Sequence, residues 1–386
     1  MSHLGEAALA GRRVAILSWR DTGNPEGGGA ELYLERVAAG LVARGARVTV
    51  LTAAYPGAPA DETRLGVRYV RRGGKLSVYL RGLLALLCRR LPGGIGRVDL
   101  VVDIQNGMPF FSRLVTRPVV VLVHHLHREQ WPVVYPGVTG KVGWWVESRL
   151  APILYRHCQY VTVSRATRDE LRRLGVEGRR IAVVHNGTDA AVEDKPERTS
   201  YPSICVVGRL VPHKRVELAI DAVASLRRDF PDLRLTVVGS GWWEDELRAY
   251  ALRSGAADAI EFTGFVDDRT KEDVYARSWL MALPSLKEGW GLVVSEAARF
   301  GTPTVAFRAA GGTQESVSDG ISGVLVDDEA GFESALRGLL TDDVERKELS
   351  QGARAHAGEF SWDRSTQAFA EVVETALRGE LTATTD

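Results

Sequence analysis

Two glutamates separated by seven residues, Glu288 and Glu296, lie in the run Pro284-Ser285-Leu286-Lys287-Glu288-Gly289-Trp290-Gly291-Leu292-Val293-Val294-Ser295-Glu296-Ala297. A helix beginning near Gly291 places Glu296 about one turn in and leaves Glu288 in the preceding loop. The two acids can then reach different hydroxyls of one ligand, while helix N–H groups between them face an anion. Nothing fixes them across a single glycosidic bond, so they are poorly suited to hydrolysis as a carboxylate pair. The competing reading of Glu296 is an ordinary acid in the first turns of a helix.

Cations come next, in Gly208-Arg209-Leu210-Val211-Pro212-His213-Lys214 after the apolar run Ile204–Val207. Arg209 and Lys214 would project from the carboxyl edge of a strand, where a diphosphate lies in α/β sheets. Arginine clamps a phosphate through two hydrogen bonds, and lysine acts as a point charge. A plain basic loop is the alternative. Near the start, Gly23-Asn24-Pro25-Glu26-Gly27-Gly28-Gly29 precedes an amphipathic segment. Its glycines permit close backbone approach to a phosphate or sugar, but they do not spell the dinucleotide fingerprint G-x-G-x-x-G. A flexible surface turn explains them equally. His124-His125-Leu126-His127-Arg128-Glu129 follows the run Val119–Val123. A His at a strand's carboxyl end is well placed for a ligand, and His124 and His125 cannot both point the same way. No Cys, Asp or H-E-x-x-H pattern completes a zinc site, so no metal is expected.

These residues need elements to hold them. Val14–Leu17, the helical spacing Leu34, Val37, Ala38, Leu41, a stop at Gly45 and Val48–Leu51 form one βαβ unit. Val67–Val70, Leu100–Val102, Val119–Val123, Val161–Val163 and Ile181–Val184 are further strands. Periodicity lapses over 189–202 and restarts with Ile204–Val207, a helix over 216–228 and Leu233–Val238. Ile260–Phe262, Leu280–Leu283, Thr304–Phe307 and Val324–Val326 complete the second half. Two α/β halves with parallel sheets follow, with ligands beyond the carboxyl ends of the strands and hence in a cleft between facing domains.

Composition agrees: 386 residues exceed one ordinary core, and 45% apolar with 25% charged residues suits a globular protein. Neither a signal peptide nor a spanning segment is apparent, and three scattered cysteines look reduced, so a cytoplasmic location is expected. Residues 1–199 hold 29 Lys+Arg against 18 Asp+Glu, and the remainder 20 against 31, giving +11 and −11. The basic half could face an anionic partner, or the halves could simply attract each other.

Seven segments in order resemble the retaining GT-B glycosyltransferases of family 4, over nearly the whole chain. They are GGGAELYLERVAAGLVARGARVTVLT, VVHNGTD (183–189), VVGRLVPHK (206–214), IEFTGFVDD (260–268), EGWGLVVSEAARFGTPTVAF with its E-x7-E pattern, AAGGTQESVSDGISGVLV (309–326) and FSWDRSTQAF (360–369). The resemblance implies two facing Rossmann-like domains with parallel sheets and an interdomain cleft. The acceptor-binding domain covers 1–195 and is completed by a helix at about 365–386; the donor-binding domain covers 200–364. It also implies a nucleotide-diphosphate sugar donor, usually a UDP- or GDP-sugar, and transfer of a hexose to an acceptor hydroxyl with no metal or other cofactor. Since no carboxylate is placed as an obvious nucleophile on the sugar, front-side displacement is the expected mechanism.

Residue roles follow from the same resemblance. Arg209 and Lys214, beside Gly208, bind the diphosphate and stabilise its departure. Glu288 meets the transferred sugar together with the backbone of Gly289, Trp290, Gly291 and Leu292. Glu296 holds the ribose, the backbone at Phe265 and Val266 reads the base, and His124 lies near the transferred sugar. Gly28, Gly29 and His125 fall on the phosphate or acceptor side.

The acceptor, whether glycan, small molecule or lipid-linked, is not legible. Lys75–Leu91 is apolar with basic ends, and Trp131, Tyr135, Trp144 and Trp145 lie nearby in sequence. A buried helix beside an aromatic-lined sugar pocket is the expectation. Peripheral docking at the inner face of a membrane is the alternative. Rival functions are a non-catalytic nucleotide-sugar scaffold and a GT-B epimerase; nucleic acid is not an expected partner.

Overall fold

The computed structural model describes residues 8–88, 95–193 and 196–384. The chain divides into unit 1, Met1–Gly187 with Trp362–Asp386, and unit 2, Thr188–Ser361. Unit 1 carries strands β1 (Arg13–Leu17), β2 (Arg47–Thr52), β3 (Asp61–Arg64), β4 (Val67–Arg71), β5 (Leu100–Ile104), β6 (Val119–Val123), β7 (Gln159–Thr162) and β8 (Ile181–Val183). They form one sheet in the order β3-β4-β2-β1-β5-β6-β7-β8. Its helices include α1 (Gly29–Ala43), α2 (Ser77–Leu87), α3 (Trp131–Val134), α4 (Val138–Trp145), α5 (Ala151–Leu154) and α6 (Arg165–Arg173).

Unit 2 carries β9 (Ser203–Val207), β10 (Arg234–Val238), β11 (Ile260–Gly264), β12 (Leu280–Leu283), β13 (Thr304–Phe307) and β14 (Gly323–Val326). Its helices are α7 (Val216–Leu226), α8 (Glu244–Ser254), α9 (Asp268–Arg277), α10 (Leu292–Arg299), α11 (Thr313–Ser316), α12 (Glu329–Thr341) and α13 (Asp343–Ala357). The sheet order is β11-β10-β9-β12-β13-β14, parallel throughout. The chain therefore winds outward from β9 on one side, then returns to wind outward from β12 on the other. Such a reversal leaves a crevice at the carboxyl ends of the two central strands.

Continuous apolar runs such as Val119–Val123 and Leu280–Leu283 become strands buried along their whole length because helices cover both faces of each sheet. The chain's last helix, α14 (Trp362–Leu377), returns to unit 1 and packs on α1. Phe369 meets Tyr33 edge to face at 6.3 Å, and Gly40 of α1 admits Thr366 so closely that a Cβ there would sit 2.5 Å from it.

Three features depart from the sequence reading. Strand β3 pairs antiparallel with β4 across Leu65 and Gly66, both at positive φ, as a tight hairpin requires. Its residues, Asp-Glu-Thr-Arg, give no hydrophobic signal because it is an edge strand. Residues 188–193, assigned from the sequence to the first domain, group with unit 2, where Thr188 N donates to Phe360 O (2.9 Å) and Val192 N to Arg299 O (3.2 Å). The helix expected to be buried within Lys75–Leu91 is corrected. α2 buries Val78, Gly82, Ala85 and Leu86 but leaves Leu80, Leu84 and Leu87 exposed, because only one side meets the sheet-side core. Residues 89–91 of that segment lie outside the described residues. Among the described residues no helix is long and apolar enough to cross a membrane.

At the carboxyl edge of β5, the fully buried Asp103 ties three segments together. It accepts from Phe110 N (3.0 Å), Ser112 N (3.1 Å), Ser112 Oγ (2.6 Å) and Tyr155 OH (2.5 Å). Burial holds its carboxyl above the usual range despite these donors. Removing the acceptor strands four buried donors. Asp103→Ala should therefore lose about 3 kcal/mol of stability, read by urea unfolding, whereas a loss under about 0.5 kcal/mol would deny it this role.

Candidate functional site

The two motifs richest in chemistry leave neighbouring strands of unit 2. β9 delivers Gly208–Lys214 and β12 delivers Pro284–Gly291, and these strands flank the point where the sheet order reverses. Hydrogen bonds knit the loops: Leu286 N donates to His213 O (2.8 Å), and the Arg215 side chain donates through Nε to Pro284 O (2.9 Å). Lys214 Nζ then meets Glu288 Oε1 at 2.5 Å, with both side chains largely covered. Gly208 adopts φ +152°, and Arg209 is exposed beside it. A small cavity lined by Gly208, Arg209, Lys214, Leu283, Pro284 and Ser285 opens here. A larger open depression of about 610 Å³ lies at the amino-terminal end of β10 and β11, by Arg234, Asp258 and Glu261, away from these loops.

The segment at 310–312 backs the glutamate loop. Glu288 N donates to Ala310 O (2.8 Å), and Gly312 N donates to Glu288 O (3.0 Å). Glycine is needed at 312, since a Cβ there would lie 2.1 Å from Gly289 O. Gly291 caps α10 at φ +87°, a conformation that favours glycine. The Trp290 indole turns inward, donating to Ser295 Oγ (3.0 Å) and packing edge-on to Phe360 at 4.8 Å, so only its backbone is offered to a ligand. Two buried hydroxyls beside these loops, Ser285 Oγ and Ser316 Oγ, have no protein partner.

Leu292 opens α10, and four residues on, Glu296 is gripped from α9. Tyr275 OH donates to Oε2 (2.9 Å), and Lys271 Nζ lies 3.3 Å from Oε1 and 3.1 Å from Asp268 Oδ1. Burial works against the Lys271 charge, but Glu296 and Asp268 outweigh it and raise its pKa. Burial, then the Glu296 charge, pushes the Tyr275 phenol well above its usual range. Each carboxylate oxygen retains an accepting lone pair with which it could take a further hydrogen-bond donor. Phe265, 85% exposed, and the half-buried Val266 follow β11.

Unit 1 gathers its polar residues at the loops after β1, β5 and β6. Glu31 anchors the glycine-rich loop, taking Gly28 N at 2.7 Å and the buried Arg20 Nε at 2.9 Å. Gly28 thus spends its N–H within the loop, and Gly29 begins α1. Arg20 also holds Glu26 O (2.8 Å), so the stretch is a pinned turn and not a loose one. Beyond β6, His124 is buried against Tyr33 (5.4 Å, edge to face), and its Nε2 has no protein partner. The His125 ring packs tilted against that of His127 at 4.3 Å and reaches Gln130 at 3.1 Å. Glu147, fully buried on a π-helical turn at 146–150, holds His127 Nδ1 (3.0 Å) and Trp131 Nε1 (2.7 Å). With its amide turned to suit its neighbours, Asn106 donates to His127 Nε2 (2.8 Å) and accepts from Trp19 Nε1 (3.0 Å). His125 and His127 thus serve hydrogen-bonded contacts, and among the described residues no group of three or more potential ligands could hold a metal.

Comparison with known proteins is decisive at the family level. The model of glycosyl transferases group 1 matches residues 188–356, and that of glycosyltransferase family 4 matches 27–192. The D-inositol 3-phosphate glycosyltransferase of Acidothermus cellulolyticus is 31% identical over 99% of this chain and 96% of its own. The glycogen synthase of Mycobacterium tuberculosis is 31% identical over 69% of this chain and 68% of its own. This chain belongs to the group 1 glycosyltransferases. Sucrose-phosphate synthase from Thermosynechococcus elongatus shares the fold, with a TM-score of 0.77 at 20% identity over 94% of this chain and 98% of that one. Anabaena HepE in complex with UDP and glucose does so too, with 0.70 at 20% identity over 93% and 98%.

In this glycosyltransferase the E-x7-E pattern was plain from the sequence, but the holders of its glutamates were not. Lys271 and Tyr275 are four apart on α9 and so share a face, the one signal that could have paired them with an acid. Glu147 and Asn106 carried no motif.

Burial, with the nearby charges of His127 and Arg20, lowers the His124 pKa from 6.5 to about 4. The folded state then binds fewer protons than the unfolded state between those values. Stability is full above pH 6.5 and falls as pH drops toward 4. From pH 7.5 to 5 this group should cost the wild type about 2 kcal/mol, a slope absent in His124→Gln. Equal slopes for both proteins in urea unfolding would refute it.

Proposed function

We propose that this glycosyltransferase is a retaining hexosyltransferase that uses a nucleotide-diphosphate sugar, with UDP or GDP as its nucleotide, and needs no metal or cofactor. The observation that carries this reading is the meeting of Lys214 with Glu288 where the sheet order of unit 2 reverses, beside the unpartnered Ser285 and Ser316 hydroxyls. A cation and an acceptor carboxylate side by side suit a ligand with a phosphate next to sugar hydroxyls. HepE, which shares the fold, has been seen with UDP and glucose. The cytoplasm, where nucleotide sugars are made, is the proposed place of action, and an acceptor hydroxyl on a glycan, small molecule or lipid-linked sugar is the second substrate.

In the proposed chemistry the acceptor oxygen bonds to the anomeric carbon on the face from which the diphosphate departs. The electron pair of the breaking C–O bond goes to the diphosphate, and the acceptor proton passes to a leaving phosphate oxygen. Arg209 and Lys214 stabilise the departing charge without reorganisation, usually the largest catalytic contribution. Glu288 and the backbone of Gly289, Trp290, Gly291 and Leu292 orient the sugar. Glu296 takes the ribose hydroxyls, with Gly208, Phe265 and Val266 around the nucleotide. By resemblance, His124, neutral at pH 7, is assigned to the transferred sugar, and His125, Gly28 and Gly29 to the phosphate or acceptor side.

A donor panel tests the reading. Purified protein is incubated without metal with UDP-, GDP-, ADP- and dTDP-sugars, and bound and released nucleotide are followed by mass spectrometry. Slow release from one donor, lost in Glu288→Ala, is expected. Binding without release, even with a range of acceptors, would favour a scaffold; neither binding nor release would sink the reading. With the preferred donor, Tyr275→Phe frees Glu296 to swing and should raise KM about tenfold with kcat nearly unchanged, a loss of one charge-assisted hydrogen bond. An unchanged KM would remove Glu296 from the donor site.

A further inference from the structure

Unit 1 exposes more apolar surface than a hidden core explains. On α2 and the residue before it, Leu76, Leu80, Leu84 and Leu87 are 73%, 62%, 42% and 59% exposed. Their spacing of four, four and three draws one stripe along the side facing away from the core. A second stripe runs along α3 to α5, where Val138, Val142, Trp145 and Ile153 are 75%, 53%, 55% and 67% exposed. The inward face of that segment is committed, with Gly143 packed on the Trp131 ring and Glu147 holding His127 and Trp131.

The loop at 107–110 links the two segments: Tyr79 and Gly82 of α2 pack against Phe110, the two rings 4.6 Å apart. Trp131 in turn packs on Tyr135 at 5.7 Å and covers Gly107. An exposed apolar patch on this scale marks an interaction site.

Charge narrows the occupant. Across 75–88 and 130–158 the ionisable side chains at the surface are Lys75, Arg81, Lys141, Arg149, Arg156 and His157, and the one acid, Glu147, is fully buried. Lys75 is paired with Glu26 at 2.8 Å. A second copy of the same face would bring cations against cations. Aliphatic stripes with Trp and Tyr among them and a mainly basic border, broken by Glu26 and Glu129, fit an interface of acyl chains and anionic headgroups.

We propose that this face of unit 1 docks the enzyme on an anionic lipid bilayer. Leu80, Leu84, Val138 and Val142 enter the headgroup layer, and Arg81, Lys141 and Arg149 meet lipid phosphates. The inference goes beyond the donor reading and stands or falls without it, because its measurement requires no turnover.

The test is flotation of the purified full chain with vesicles of phosphatidylcholine, alone or mixed equally with phosphatidylglycerol. Co-flotation with the mixed vesicles, strongly reduced on phosphatidylcholine alone and by high salt, is expected. Lys141→Gln with Arg149→Gln should weaken partitioning about 25-fold, roughly fivefold per charge. Leu80→Glu with Val138→Glu should abolish it while circular dichroism stays that of the wild type. Absence of wild-type flotation, or flotation untouched by either pair of substitutions, overturns the proposal. So does a concentration-dependent dimer in sedimentation that Leu80→Glu with Val138→Glu dissolves, since a second copy would then be the occupant.

Discussion

The parallel pairing of β9 with both β10 and β12 is the constraint on which the geometry of the candidate site in unit 2 depends. Crossovers in such a sheet are right-handed, so the chain must pass to the other side of β9 when its order reverses. That reversal leaves the loops after β9 and β12 side by side with no covering crossover. Residues 74 positions apart, Lys214 and Glu288, thereby come to 2.5 Å. Their charges are partly withdrawn from water, so the pair is stronger than a surface ion pair, and its carboxylate keeps its second oxygen for a ligand.

The same economy of placement recurs around three acids, Glu31 and Glu147 buried and Glu296 partly covered. Glu31, Glu147 and Glu296 each sit on a helical segment and are each fixed by donors from a different part of the chain. Burying a carboxylate without such partners would be costly, so each acid selects one arrangement of its surroundings. Glu31 pins the glycine-rich loop, Glu147 sets the tautomer of His127, and Glu296 is aimed by Tyr275 and Lys271. Glu31 and Glu147 hold a loop and side chains in place, whereas Glu296 is itself held, so in each case the fold sets the local arrangement in advance.

Unit 1 adds a second kind of constraint. α2 and the α3–α5 segment are amphipathic in the unusual sense that both faces are apolar in part. On α2 the inner face combines Val78 and Leu86 with the small Gly82 and Ala85, Gly82 lying against Phe110, while Leu80, Leu84 and Leu87 are turned outward. Sequence periodicity cannot tell such a helix from a buried one, because the apolar count is the same and only the packing partners differ.

The sequence by itself determined the fold class and most strands, since apolar runs of four to six residues between turn signals have few alternatives to a buried parallel strand. It also determined the candidate residues, because glycines, cations and the spaced glutamates fall where runs end and helices begin. The charged edge strand β3 stayed hidden, as its residues serve solvent and not a core. Tertiary structure alone decided which side chains meet: Lys214 with Glu288, Tyr275 and Lys271 with Glu296, Glu147 with His127, and the outward leucines of α2 with no described neighbour to cover them. Those pairings span tens of residues, and only the winding of the sheets, not any local preference, brings such distant positions within hydrogen-bonding reach.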